Sequence, residues 1–445
     1  MHTRSWRAHY EARSLGPAEA IALLKPGQRV LIGSGAAEPV TLVNALVEHG
    51  SQLDNVEIVH LLTLGPAPYV RPEYAGRFRH RAFFVGANVR EAVQAGRADF
   101  VPIFLSEIPG LIRSGRLPID VALIQVSPPD EQGYVSLGVS VDIVRAAVDT
   151  ARLVVAEVNP RMPFTYGDSR IPVTSIAGFV HVDRPLLLAE CSEPGPVERA
   201  IAGHVASLVS DGCTLQTGIG KIPDAVLSAL GNHRDLGVHT EMFSDGVMRL
   251  AQAGVINGLR KTLLPGRIVT SFVMGSQALY DWVHANSALE LRGSDFVNDP
   301  AVIALNDRMI SINSALAVDL TGQVASDTVD GKFFSGIGGQ VDFVRGASHS
   351  NQGRSIIALP STAKRGTVSR IQAVLEAGAG VVTSRGDVHF VVTEYGIADL
   401  WGKSIRERAH ELVRIAHPDF RSELYARAVE RRYVTTSCVS AVEEK

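Results

Sequence analysis

Val141-Asp142-Ile143-Val144-Arg145-Ala146-Ala147 recurs further along the chain as Val341-Asp342-Phe343-Val344-Arg345-Gly346-Ala347. A second pair of matches keeps the same order. The turn Gly33-Ser34-Gly35, followed by Pro39 and Leu42, is echoed by Gly218-Ile219-Gly220, followed by Pro223 and Leu227. Ordered, similarly spaced matches point to a duplicated domain. Between the copies lies Cys191-Ser192-Glu193-Pro194-Gly195-Pro196, a turn-rich stretch ahead of a helical pattern. The expected division is therefore residues 1–190 and 191–445. Two related domains packed face to face leave a cleft between them, a common place for a ligand.

The local patterns give the class of each domain. Arg29-Val30-Leu31-Ile32, Val56 to Leu62, Val121 to Val126 and Leu153 to Val158 are short, nearly continuous apolar runs. Such runs are typical of strands covered on both faces, and a helix-period segment around Leu42, Leu46 and Val47 follows the first. The expected fold is α/β, built as two related open α/β domains. The last fifty residues read as helical: Ser404 to Val413 is amphipathic, His417-Pro418-Asp419-Phe420 interrupts, and a charged helix follows. Lys403, Arg406 and Arg408 are expected on the exposed side of that region.

The chain has 445 residues, 46% hydrophobic and 20% charged, enough to bury a large core in two or three domains. A net charge of -3 leaves no basic footprint for nucleic acid. Cys191, Cys213 and Cys438 are odd in number and far apart, which argues against a disulfide framework. No apolar run is long enough to span a bilayer, and Met1 to Arg7 has no apolar leader core. A cytoplasmic, reducing setting is the expectation. The fourteen histidines form no metal motif; His60, His181 and His239 read as core or strand-end residues, so no metal is expected.

Four segments carry candidate chemistry. Gln216-Thr217-Gly218-Ile219-Gly220 is a glycine turn before a helix that Pro223 and Asp224 suit at its first turn. It reads equally as a tight strand–helix connection or as an anion cradle of backbone N–H groups. His239-Thr240-Glu241-Met242-Phe243-Ser244-Asp245-Gly246 places one carboxylate just past the expected end of a strand, with Thr240 and Ser244 available to orient it and Asp245-Gly246 forming a tight turn. A solvated carboxylate is the ordinary reading of such a residue; a covalent nucleophile toward an acyl thioester is the chemical one. Phe333-Phe334-Ser335-Gly336-Ile337-Gly338-Gly339-Gln340 reads as a packed loop whose N–H groups could stabilise an oxyanion. Pro360-Ser361-Thr362-Ala363-Lys364-Arg365-Gly366, with Arg370 beyond, offers cations and hydroxyls to a phosphate or a pantetheine arm, or is simply solvated.

These segments, with Gly33 to Pro39, Ser127 to Tyr134, Asn313-Ser314-Ala315-Leu316, Thr393-Glu394-Tyr395-Gly396 and Ile415 to Arg421, resemble the acetyl-CoA hydrolase/transferase family over nearly the whole chain. The resemblance is to the branch that includes 4-hydroxybutyrate CoA-transferase and acetate- and butyrate-using enzymes. It implies a duplicated CoA-transferase fold with the active site in the interdomain cleft and Glu241 as catalytic glutamate. It also implies CoA contacts at Gln216, Thr217, Gly218, Ile219, Gly220, Ser335, Gly339 and Lys364, with Gly338, Asn313 and Tyr166 as oxyanion or substrate candidates. Coenzyme A and acyl-CoA would be substrates, with no permanently bound cofactor. Small carboxylates would be partners, in a homodimer or larger homo-oligomer without nucleic acid or membrane. The implied activity is CoA transfer between small acids by a ping-pong route through a glutamyl-CoA thioester. Acyl-CoA hydrolysis through the same glutamate, and a CoA-binding regulator without turnover, are the alternatives. One segment departs from the family: Asn159 to Ser169 carries Tyr166 where relatives often have His. This leaves 4-hydroxybutyrate specificity unassigned, and the segment reads otherwise as an interdomain packing loop.

Overall fold

The near-continuous apolar runs become the centre of the first of two open sheets. In the computed structural model, residues 2–189 and 193–435 are described. The first sheet holds seven strands: β1 (Arg29–Ile32), β2 (Val56–His60), β3 (Phe78–Ala82), β4 (Ala98–Phe100), β5 (Val121–Val126), β6 (Leu153–Val158) and β7 (Gly178–His181). Its order is β4-β3-β2-β1-β5-β6-β7, all parallel. The second sheet holds β8 (Thr214–Thr217), β9 (Gly237–Phe243), β10 (Ile268–Val273), β11 (Leu289–Leu291), β12 (Met309–Ser314), β13 (Arg354–Ala358), β14 (Phe390–Thr393) and β15 (Gly396–Asp399). Its order is β11-β10-β9-β8-β12-β13-β14-β15, parallel except for the last pair. Strand for strand, β8 to β14 repeat the order of β1 to β7. The duplication expected from the repeated segments is thus present in the topology.

The glycine turns sit where the repeat places them. Gly33 to Pro39 joins β1 to helix α1 (Val40–His49). Both copies of the Val-Asp segment enter helices, α2 (Val144–Thr150) in the first half and, in the second, Gln340–His349. The chain after residue 195 resumes with the helix Pro196–Ala206, as the turn-rich stretch predicts. Cys191 and Ser192 of that stretch, like Cys438, lie outside the described residues, while Cys213 is a free, buried thiol.

The two halves share one hydrophobic core, in which Leu31 and Val126 of the first sheet join Leu215, Phe272 and Ile356 of the second. Backbone bonds cross the seam. Val141 N–H donates to Ser271 O (3.0 Å), Val273 N–H to Val139 O (2.8 Å), and Leu291 N–H to Tyr166 O (3.0 Å). The second half also carries short strands at Ala317–Asp319, Val324–Ala325 and Ile371–Gln372 that form a small separate sheet.

The C-terminal region is helical as expected, over Ile405–Ile415 and Pro418–Glu430, with His417 capping the second helix. One expectation fails there. Arg408 is buried at 9% exposure, not on the solvent side. Its guanidinium donates to Thr321 O (3.1 Å) and Arg385 O (2.6 Å), so backbone carbonyls replace water around the cation. Among the described residues no helix is long and apolar enough to cross a membrane.

Candidate active site

Glu241 is a strand residue. The expectation that it follows the strand is corrected: β9 runs through it to Phe243, and Asp245-Gly246 is the first turn of a helix (Asp245–Gln252) instead of a free tight turn. The Asp245 carboxylate accepts from the N–H (2.9 Å) and hydroxyl of Ser276, which fixes that helix start. Thr240 does not orient Glu241 either. Its hydroxyl donates to Thr217 O (3.0 Å), tying β9 to the end of β8. The Ser244 hydroxyl is buried without a partner.

The groups that hold Glu241 come from elsewhere. Asn298 Nδ2 donates to Oε2 at 2.9 Å, the Gly339 N–H donates to the same carboxylate, and the Thr270 hydroxyl holds the Glu241 backbone oxygen (3.0 Å). Asn298 caps the short helix Ser294–Val297, is fully buried, and leaves its own Oδ1 unpartnered. Nothing around Val297-Asn298-Asp299-Pro300 marks it in the sequence beyond a helix boundary. Gly339 is required by space: a Cβ there would overlap both Glu241 Oε2 and Asn298 Nδ2.

By accessible area Glu241 is half-buried. Burial pushes its pKa up to about 7, against the Asn298 and Gly339 hydrogen bonds; the nearby Asp142 carboxylate adds to the rise. Asp142 is itself raised by burial, and accepts from Ser34 Oγ (2.9 Å), Ser140 Oγ (2.6 Å) and Ile143 N–H. Asp342 is pushed up to about 7 by burial, with Glu241 and Glu107 adding; it accepts from Ser106 N–H (3.1 Å) and Oγ (2.9 Å) across the seam. His239, two residues before Glu241, is fully buried, donates its Nε2–H to Val297 O (2.9 Å), and is held neutral by burial, its pKa about 3.

The loop from Phe333 to Gly339 is packed, as its apolar flanks predict. Arg90 lies 3.8 Å over the Phe334 ring and donates to Phe334 O, Val85 N–H donates to Ser335 O (3.3 Å), and Leu105 N–H donates to Gly338 O (3.2 Å). The Ser335 hydroxyl donates to Ser326 O (2.8 Å). Gln216 and Asn313 form a reciprocal amide pair across β8 and β12 (3.1 and 3.3 Å), at the strand ends where the sheet order reverses. Thr217 closes β8, and Gly218, Ile219 and Gly220 turn into a helix (Lys221–Ala229). Gly220 has φ of 110°, and the Ile219 side chain is half exposed.

Lys364 belongs to a neighbouring cavity of about 320 Å³, also lined by Phe334, Arg370 and Gln372. It is mostly exposed and pairs with Asp330 at 3.6 Å. Arg370 Nη1 donates to Ala315 O, but its Nε, and Gln372 Oε1, are buried without partners. Five peptide steps of one loop lead from Phe334 in this cavity to Gly339 at Glu241, a span of at most about 18 Å. Tyr166 lies on the seam between β11 and Phe164, its ring 39% exposed and edge-on to Phe164 at 6.2 Å.

Residues 1–189 match the acetyl-CoA hydrolase/transferase N-terminal domain and residues 275–428 its C-terminal domain. The chain is 50% identical to the 4-hydroxybutyrate coenzyme A transferase of Clostridium kluyveri, covering 94% of this chain and 98% of that protein. The crystal structure of 4-hydroxybutyrate CoA-transferase from Porphyromonas gingivalis is 43% identical, with a TM-score of 0.84 over 96% of this chain and all of that one. RipA from Yersinia pestis is 36% identical, with a TM-score of 0.92 over the same shares. Acetyl-CoA hydrolases are more distant, as with the 28% identical protein of Eremothecium gossypii, aligned over 76% of this chain and 72% of that one.

Proposed function

The chain belongs to the acetyl-CoA hydrolase/transferase family, among relatives that are CoA-transferases, and from that premise we propose that it moves CoA between small carboxylic acids by a ping-pong reaction at Glu241. The observation that carries the reading is a carboxylate at the interdomain seam, held by Asn298 Nδ2 at Oε2 and by the Gly339 N–H.

On this reading Oε1 of Glu241 attacks the thioester carbonyl of an acyl-CoA. The C–S bond breaks, CoA leaves as the thiolate, and an acyl-glutamyl anhydride remains. The thiolate then attacks the glutamyl carbonyl; the acyl group departs as a free carboxylate and a glutamyl-CoA thioester forms. An acceptor carboxylate attacks that thioester and regenerates an anhydride. Thiolate attack on its acyl carbonyl releases the new acyl-CoA and the Glu241 carboxylate. In the two attacks on the glutamyl carbonyl, negative charge develops on Oε2. Asn298 Nδ2 already donates to that oxygen, and the Gly339 N–H bonds the same carboxylate, which suits the two as oxyanion donors.

For CoA, the turn Gln216 to Gly220 and the loop at Ser335 and Gly339 supply backbone contacts. The cavity with Lys364 and Arg370 takes the phosphate-bearing end, where two cations and an unpartnered Arg370 Nε meet the anion. The thiol arm would follow the Phe334 to Gly339 loop to Glu241. Tyr166 and Phe164 would line the acid side on this reading, and no 4-hydroxybutyrate preference is assigned.

Incubation with an acyl-CoA, borohydride reduction and mass mapping tests the mechanism. A reduced residue at Glu241 is expected; its absence with an active preparation overturns the covalent route. Assays with and without acceptor acids separate the outcomes. Acceptor-dependent CoA exchange supports transfer, acceptor-independent CoA release means hydrolysis, and binding without either means a regulator.

A further inference from the structure

We propose that Asp142 and Asp342, one from each copy of the repeated Val-Asp segment, are positioning residues that flank Glu241 from the two domains and set how readily it carries negative charge. The proposal rests on Glu241 being the nucleophile.

Each aspartate is wired to a group that holds Glu241. The Asp142 N–H donates to Ser271 O (3.3 Å), next to the Thr270 whose hydroxyl holds the Glu241 backbone. The Asp142 carbonyl accepts from Ser294 N–H (3.1 Å), the start of the helix that Asn298 caps. Asp342 stands three residues after Gly339 in the first turn of its helix. Its carboxylate grips Ser106; the adjacent Leu105 donates to Gly338 O and accepts from the Ser294 hydroxyl (3.1 Å). The circuit Asp342–Ser106–Leu105–Ser294 therefore joins the two clamps on Glu241, the Gly339 loop and the Asn298 helix.

The second observation is the absence of a compensating cation. Hydroxyls and backbone N–H groups satisfy Asp142 and Asp342, and an amide and an N–H satisfy Glu241. Among the described residues none of the three has an ion-pair partner. The other ionisable groups facing them are Glu107, beside Asp342, and His239, held neutral on β9. Asp142 and Asp342 are 0% and 3% exposed. Three acids without a cation in a low-dielectric seam disfavour one another's charge. Burial is the largest cause of the raised pKa of each; Asp142 adds to the rise at Glu241, and Glu241 to that at Asp342.

The chemical consequence concerns the cycle. Glu241 is charged only when free; as anhydride or thioester it is neutral. Repulsion from Asp142 and Asp342 thus raises the energy of the free carboxylate and is relieved on acylation. It also makes the carboxylate more basic, hence a better nucleophile.

The test is the pH dependence of kcat/KM for wild type, Asp142→Asn and Asp342→Asn, with trapping of the glutamyl-CoA adduct. Removing a neighbouring negative charge is expected to move the acid limb to lower pH by about one unit and to cut the trapped fraction at pH 7 by about tenfold. Asp342→Glu, which keeps the charge, should leave the limb in place. Ser106→Ala provides a milder probe where an Asn variant does not fold. Losing a donor makes Asp342 neutral more often, so a smaller shift in the same direction is expected. An acid limb that stays put in folded Asn variants, or in Ser106→Ala, overturns the proposal. No adduct in the wild type would instead mean that Glu241 is not the nucleophile, a separately visible failure.

Discussion

Each half of the molecule buries a glutamate against a glycine. In the first half Glu38 accepts from Gly65 N–H (2.6 Å), a Cβ on Gly65 would overlap its carboxylate, and burial pushes its pKa up to about 7. In the second half Glu241 accepts from Gly339 N–H, a Cβ on Gly339 would overlap it, and burial again gives about 7. The difference is access and company. Glu38 is sealed at 0% exposure beside the buried Glu157–Arg184 pair, and it fastens the loop after β2. Glu241 is half open, and the cavity built by the added short strands of the second half lies along its loop. A raised pKa and a glycine clamp are thus common to both glutamates; on the proposed mechanism it is access to the thioester that sets Glu241 apart.

Substituting the two glutamates tests that contrast most severely. Glu241→Ala is expected to reduce turnover at least about 10³-fold with the fold kept. Glu241→Asp should be nearly as damaging, because one methylene less withdraws the carboxylate from the thioester. Glu38→Gln should leave turnover within about tenfold, since Gln can still accept from Gly65. Steady-state rates with circular dichroism measure both; equal losses at the two positions would break the comparison.

The paired glycines come next. Gly339→Ala is expected to lower kcat about 10²-fold while the melting temperature barely moves, because the added methyl displaces the carboxylate and Asn298 together. Gly65→Ala should do the reverse: it overpacks a sealed site and costs about 1–3 kcal/mol of stability, with kcat in the surviving fold little changed. Calorimetry and kinetics on both variants decide it.

Much of this architecture was legible beforehand. The repeated Val-Asp segment and the paired glycine turns predict two related sheets, and the family resemblance implies Glu241 in the cleft between them. What escaped was whatever depends on domain packing. Asn298 lies in an ordinary helix boundary and gains its role only where that helix meets Gly339. Asp142 and Asp342 were visible as repeat markers, but their facing of one glutamate from opposite sides exists only after the halves dock. The small and polar residues around Glu241 read as lying just past a strand end. Here the end of β9 lies on an internal seam, where Thr240 bonds to the neighbouring strand end. Arg408 was read as exposed by helical periodicity, which does not anticipate a cation solvated by carbonyls.

The pH dependence of stability sharpens the comparison further. A carboxyl whose folded pKa lies above its unfolded value binds more protons when folded. Its stability is then greatest below the unfolded value, near 4.5, and falls as pH rises toward the folded value, about 7. Glu38, Glu241 and Asp342 all act in this direction. The melting temperature is therefore expected to decline between pH 5 and pH 8, at roughly 3 kcal/mol or less for each fully shifted group. Glu38→Gln and Glu241→Gln should each flatten part of the decline. A wild-type melting temperature that rises across this window would mean that the seam carboxyls are ionised and well solvated.

The smallest effect is expected at the two cations that distinguish the halves. Arg184 is largely buried, donating to Glu38 O (2.8 Å) and Glu157 Oε2 (3.1 Å), whereas Lys364 is mostly exposed at the edge of the second-half cavity, 3.6 Å from Asp330. An exposed pair of this kind contributes under about 1 kcal/mol to folding, so Lys364→Ala should leave the melting temperature unchanged. If the cavity receives the phosphates of CoA, the loss should appear as a several-fold rise in KM for acyl-CoA, with kcat and the KM for the acid preserved. Because the lysine is exposed, that rise should shrink as ionic strength increases. Arg184→Ala should show the opposite signature, a lower melting temperature with no salt-dependent change in KM, since its charge faces buried acceptors instead of substrate. A salt-independent KM effect at Lys364 would assign the contact to packing of the arm in place of charge on the phosphates.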